Sequence, residues 1–200
     1  MEKYLKLKNA HEARLDNIID MGLDFSAMIR LFERGSKRRL QARILDDLPK
    51  VFEAKSEKQF VDFHASFCNW GRETVMLAEK TKNGQITKKS GPASYGQIAK
   101  TLDVVLKVAV YYCHLPNCEK YQSISGWLNA AVDTKMMALL SKYYPEAIRP
   151  WPATIEKVDD YAYAVIQDTV RKFIKEKHSG SITPVQFDDI YFKALKERGR

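Results

Sequence analysis

The segment from Gly91 to Cys113 constrains this chain more than any other. It opens as Gly91-Pro92-Ala93-Ser94-Tyr95-Gly96-Gln97-Ile98, a Gly/Pro break with a serine able to cap a helix, and runs on apolar around nearly its whole circumference. A helix of that kind has no face to give to water and must be enclosed by other elements. The chain is therefore expected to wrap its remaining helices around a rod spanning Ser94 to about His114, which stops before Pro116.

The rest of the sequence has the same periodicity. Asn9 to Met21 reads as a helix closed by Gly22, and Asp24 is placed to cap the next, whose buried side is Phe25, Met28, Leu31 and Phe32. Gly35-Ser36 breaks or restarts it, and Leu40, Ile44 and Leu48 carry a face up to Pro49. Phe60, Phe63, Phe67, Trp70, Thr74 and Leu77 recur at steps of three and four, the spacing of one helix face. Ser123 to Tyr144 reads as a further interior helix, and Pro145, Pro150 and Pro152 stiffen the connection over 145–153. Thr154 is placed to cap the following helix, with Glu156, Asp159 and Asp160 at its positive end, Lys172, Lys175 and Lys177 at its negative end and Gly180 beyond. Thr183-Pro184-Val185-Gln186 has the capping-box pattern with proline at the first helical position. Residues 80–91 lack the period, and their Asn83-Gly84 pair suits a tight turn in a lysine-rich loop or small hairpin. No alternating strand pattern of useful length occurs. The fold predicted is all-α, a single domain over residues 1–200 built as a bundle of seven to eight helices around the buried helix near 94–114.

Charge divides the chain further. The net charge is +8, and Arg30 to Arg43 supplies +5 through Arg30, Arg34, Lys37, Arg38, Arg39 and Arg43 against Glu33. Lys80 to Lys89 supplies +4 through Lys80, Lys82, Lys88 and Lys89, so the remainder of the chain is −1. Concentrating the whole excess in two short segments points to an acidic partner, either nucleic acid or an acidic protein surface. The longest strongly apolar run, Val104 to Cys113, is interrupted by Lys107 and too short to span a bilayer, so no membrane partner is expected. The first residues, Met1 to Lys6, show no apolar core with a cleavage site, and three cysteines make an odd count. A cytoplasmic protein is the expectation.

Four constellations bear on chemistry. The start of the central helix, with Ser90, Ser94, Gly96, Gln97 and Lys100, has the composition of an anion site, because free amides and the positive dipole end favour phosphate or carboxylate. The arginine segment places Lys37, Arg38 and Arg39 in a first helical turn, where cations oppose the dipole. His64-x3-Cys68 and Cys113-His114-x3-Cys118 gather all three cysteines, but the C-x4-C spacing is not a zinc knuckle and neither a metal nor a cofactor is expected. Gln97, Lys100, Asp103 and Lys107 form a polar stripe on the central helix, which Asn129 and Asp133 are spaced to meet.

No nucleophile elbow, zinc-protease signature or di-iron motif is present, and no motif matches a known family residue by residue. The leading reading is a non-enzymatic module that binds a polyanion (nucleic acid) or acidic partner through the two basic segments. The first alternative is an assembly subunit, homo- or hetero-oligomeric, without nucleic-acid contact. The second is an enzyme with a pocket around Lys100, Lys107, Asn129 and Asp133.

Overall fold

Ser94 caps the central helix through a reciprocal pair of bonds: Gln97 N–H donates to Ser94 Oγ at 3.3 Å, and Ser94 N–H donates to Gln97 Oε1 at 2.9 Å. In the computed structural model, which describes residues 9–82 and 85–198 (backbone alone for 80–82, 85, 88, 192 and 195–198), this helix is α4, Tyr95–Leu106. It continues without a break as a π-helical stretch over Lys107–Tyr112, closed by Cys113 N–H on Val108 O. Ile98, Ala99, Leu102, Val105, Leu106, Ala109 and Val110 are all buried, which bears out the enclosed rod. Each of the isoleucine, leucine and valine side chains contributes about 1.5–3 kcal/mol when fully removed from water.

The enclosing elements are α1 (Ala10–Phe25), α2 (Ser36–Glu53), α3 (Glu57–Thr74), α5 (Lys120–Trp127), α6 (Thr134–Tyr143), α7 (Asp160–His178) and α8 (Pro184–Arg198). The described chain is all-α apart from four short strands. These are β1 (Met76–Leu77), β2 (Lys80–Lys82), β3 (Gln85–Lys88) and β4 (Gly91–Pro92), paired antiparallel as β1–β4 and β2–β3. The small hairpin at the lysine segment is therefore present; its Asn83-Gly84 turn lies outside the described residues, as does the Met1–Lys6 segment. One apolar cluster runs from Ile18 on α1 to Phe187 on α8. Among the described residues no helix is long and apolar enough to cross a membrane.

Several boundaries fall differently from the sequence pattern, each for a visible reason. Gly22 does not end α1 but lies buried inside it, because a Cβ there would sit 2.9 Å from the Val105 Cα, so the glycine sets the approach of α1 to α4. Asp24 caps nothing and instead reaches Lys37. Residues Ala27–Leu31 form a 3-10 segment, and Gly35, at φ 92°, turns the chain into α2, which runs through Pro49 to Glu53. The helix expected over Ser123–Tyr144 is two helices separated by an extended, buried stretch from Leu128 to Val132. Its backbone is satisfied by a side chain from α7: Ala130 N–H donates to Gln167 Oε1 at 3.2 Å, and Gln167 Nε2 donates to Ala130 O at 2.9 Å. Buried backbone groups require such partners wherever helix or sheet does not supply them. Asp159, not Thr154, caps α7, accepting from Ala162 N–H at 2.8 Å, while Thr154 precedes a separate 3-10 turn over Ile155–Lys157. The Thr183–Gln186 capping box forms as its pattern predicts.

That 3-10 turn covers the start of α4 closely, for a Cβ on Gly96 would lie 2.6 Å from Ile155 O and 2.7 Å from the Val158 Cβ. Gly96→Ala is therefore expected to push the 155–158 segment off α4 and lower stability by about 1–3 kcal/mol, read as a fall in the urea midpoint at unchanged slope.

Candidate functional site

Backbone hydrogen bonds tie the start of the arginine segment to β1, just ahead of the lysine segment. Glu33 N–H donates to Met76 O at 2.9 Å, Ala78 N–H donates to Leu31 O at 2.8 Å, and Phe32 pairs antiparallel with Leu77. Residues 31–33 thereby extend the β1–β4 ladder, with Arg30 and Arg34 flanking the bonded tripeptide and Lys80 opening the hairpin two residues after Ala78. At 3.8 Å per residue along the chain and about 5 Å across the ladder, the Arg30 and Lys80 backbones lie within about 17 Å. Lys89 is exposed in the link from β3 to β4.

Within the arginine segment the cations divide into two groups. Lys37 is gripped by Asp20 at 2.8 Å and Asp24 at 2.6 Å from α1, and hydrogen bonds to these two carboxylates raise its pKa. Arg39 turns back to Glu33 at 2.6 Å and Ser36 Oγ at 3.1 Å. Arg43 bonds Asp47 at 2.5 Å and lies 5.2 Å above the Trp70 ring. Acids from outside the turn thus offset the conflict between Lys37, Arg39 and the helix dipole. Arg30, Arg34 and Arg38 are exposed and hold no ion pair among the described residues.

The start of α4 differs from the open anion site its residues suggested. Gly96 N–H donates to Val158 O at 3.0 Å, Gln97 N–H is taken by Ser94 Oγ, and Ser94 Oγ itself donates to Ile155 O at 3.3 Å. Gln97 is buried, Lys100 half-buried and Ser90 exposed. The polar stripe is dispersed as well. Lys107 does not meet Asn129 or Asp133: its ammonium bonds Asp188 at 2.6 Å and also Asp189, both on α8. Burial opposes its charge, but these two carboxylates outweigh the desolvation and raise its pKa. Asp133 caps α6 by accepting Met136 N–H at 2.7 Å, and Asn129 accepts from Arg171 at 3.3 Å.

Asp103 belongs to a constellation that the sequence pattern did not reveal. Its Oδ1 lies 2.9 Å from His64 Nε2 and its Oδ2 accepts Tyr163 O–H at 2.7 Å. His64 Nδ1 lies 3.6 Å from Cys68 Sγ, and the Tyr163 ring stacks on the imidazole at 5.1 Å. The Tyr95 ring packs against that of Tyr163 at 5.6 Å, and burial with Cys68 and Asp103 nearby raises the Tyr95 pKa. All five residues are buried, with Cys68 wholly enclosed. Burial alone would strip His64 of its proton, yet the neighbouring Cys68 and Asp103 outweigh that and push its pKa up to about 10. Burial, with Asp103 and Cys68 close by, drives the Tyr163 pKa well up. The i, i+4 spacing of His64 and Cys68 was legible, but Tyr163, 60 residues beyond Asp103, carried no local signal.

Tyr95 also lines an open cleft of about 590 Å³ together with Asn69, Arg72, Pro92, Lys157 and Asp159. Cys113 and Cys118 are free thiols elsewhere, and His114 stacks on Tyr121 at 4.1 Å. Among the described residues no group of three or more His, Cys, Asp or Glu side chains is arranged to hold a metal ion. No protein family, curated protein or solved structure matches the chain.

Two outcomes follow for stability. A folded-state pKa above the usual value of 6.5 means the native protein binds the His64 proton more tightly than the unfolded chain does. The stabilisation is complete below about pH 6.5 and disappears as pH rises towards 10, so the urea midpoint should fall across that window, a slope that His64→Gln should flatten. Lys107→Ala should cost about 2–3 kcal/mol by leaving Asp188 uncompensated, below the ~3–5 kcal/mol of a fully buried pair, and joint replacement with Asp188→Leu should recover part of the loss.

Proposed function

We propose that this protein binds the phosphate backbone of nucleic acid through one surface built from both basic segments, without a catalytic role for that surface. The observation that supports the reading is the antiparallel stitching of residues 31–33 to β1, which ties the stretch flanked by the exposed Arg30 and Arg34 to the strand leading into the lysine hairpin; the exposed Arg38 and Lys89 complete the proposed surface. Lys80, Lys82 and Lys88 follow along the backbone of β2 and β3. Lys37, Arg39 and Arg43 add to the local potential, but their acids already compete for them.

Contacts of this type neutralise phosphates and release condensed counterions, so affinity depends steeply on salt and little on base sequence. Arginine suits the role because its planar fork meets phosphate oxygens in pairs.

Fluorescence anisotropy with a short labelled duplex, titrated from about 50 to 200 mM salt, tests the proposal. Arg34→Ala with Arg38→Ala should weaken binding at least about tenfold and reduce the log–log salt slope by about 2. Lys37→Ala should change binding much less. A double variant that melts like the parent and binds with the parent's affinity and slope would overturn the assignment.

A further inference from the structure

We propose that Cys68, His64 and Asp103 form a gated thiol nucleophile for acyl transfer, with Tyr95 as the gate and the cleft beyond it as the entry for a small carboxylic ester. This inference is independent of the nucleic-acid surface and rests on three observations. The first is the relay itself: sulfur to imidazole at 3.6 Å, then imidazole to carboxylate at 2.9 Å through the opposite ring nitrogen. That is the nucleophile–base–orienting-group order which activates thiols and hydroxyls on unrelated folds and is identified by geometry rather than chain position. The second is that Asp103 is itself held, by the Tyr163 hydroxyl at 2.7 Å, so the imidazole has one orientation. The third is the position of Tyr95, whose ring packs on Tyr163 at 5.6 Å and which lines the 590 Å³ cleft with Asn69 and Arg72, one and four residues beyond Cys68 on α3. A cleft of about 300–1,000 Å³ accommodates a small organic molecule.

A purely structural role accounts poorly for this arrangement. Replacing a buried ionic network by well-packed apolar side chains is commonly neutral or stabilising, so such a network adds little to stability as a whole. Here four polar side chains and a thiol are gathered at one point of the interior. They lie one side chain from the cleft.

The reaction balances with water as the only co-reactant. Cys68 Sγ attacks the ester carbonyl carbon and forms the S–C bond, the proton shared between the thiol and His64 Nδ1 staying on the imidazole. The Tyr95 hydroxyl donates to the oxygen on which negative charge develops. Collapse breaks the C–O bond, and the alcohol leaves with the proton returned by His64. Water, giving a proton to His64, then attacks the thioester carbonyl, releasing the carboxylic acid and restoring the thiol. Asp103 steadies the imidazolium at both stages. Cys68 has no exposed surface, so the reaction requires movement, which the proposal assigns to the Tyr95 side chain at the cleft.

The test is acetylation of the full chain by p-nitrophenyl acetate, with nitrophenol release followed optically and the modified peptide identified by mass spectrometry. A Cys118→Ser background removes the exposed competing thiol. The proposal expects a burst of nitrophenol with acetyl on the Cys68 peptide, absent in Cys68→Ser, and faster in Tyr95→Ala. His64→Gln should slow it by about 100-fold, and Asp103→Asn, which preserves the side-chain shape and acceptance from Tyr163 should His64→Gln not fold, should slow it by at least about tenfold. Tyr95→Phe, which keeps the gate but removes the hydroxyl, should slow the burst without blocking it. Acetyl confined to Cys113 and lysines would overturn the assignment. So would Cys68 acetylation at a rate untouched by Tyr95→Ala and by whichever of His64→Gln and Asp103→Asn melts like the parent, since that is labelling through global unfolding.

Discussion

A carboxylate inside a helix that water never reaches is the constraint from which much of this structure follows. Asp103 lies buried in the middle of α4, among Leu102, Val105 and Leu106. Its partners come from elsewhere in the chain, from α3 as His64 and from α7 as Tyr163. Three helices distant in the chain are thereby fixed in rotation as well as in proximity. Apolar contact alone tolerates sliding and rotation, whereas a carboxylate satisfied on both oxygens by named donors does not. The aromatic rings around it, Phe60, Tyr95 and Tyr163, give the same junction its bulk.

Most helices were legible because their signals are local. The apolar sides of α3 as far as Thr74 and of α4, the Ser94 cap and the Thr183–Gln186 box are fixed by residues within four of one another and formed where their patterns lay, whereas Leu77, read onto the α3 face, lies in β1. The failures have a common cause, a distant partner overriding the local pattern. Gly22 reads as a terminator, yet it is the contact point through which Val105 approaches α1. Residues 128–132 continue the helical spacing of α5, yet they are extended because Gln167 offers the backbone of Ala130 both a donor and an acceptor. Thr154 and Asp159 are both good caps, and only the 3-10 turn between them decides which one starts α7.

The same distinction governs the charged residues. Sequence reading located the two basic segments but not their division into paired and unpaired cations, because Asp20, Asp24 and Asp47 lie outside or late in the arginine stretch. The pairing of Lys107 with α8 was hidden for the same reason: its partners lie 81 and 82 positions away. It also gives the π-helical stretch a plausible physical context, since Lys107 and Tyr112 open and close that stretch and both reach Asp189.

The clasp between Gln167 and Ala130 has a consequence for how the chain is assembled. Until α7 is docked, the amide and carbonyl of Ala130 lack the acceptor and donor that Gln167 gives them, so the connection between α5 and α6 takes its final place together with α7. A nascent chain would then keep its middle third provisional until residues near 167 arrive. Cutting the gene anywhere between α6 and α7 should yield two fragments that refuse to behave as separate modules.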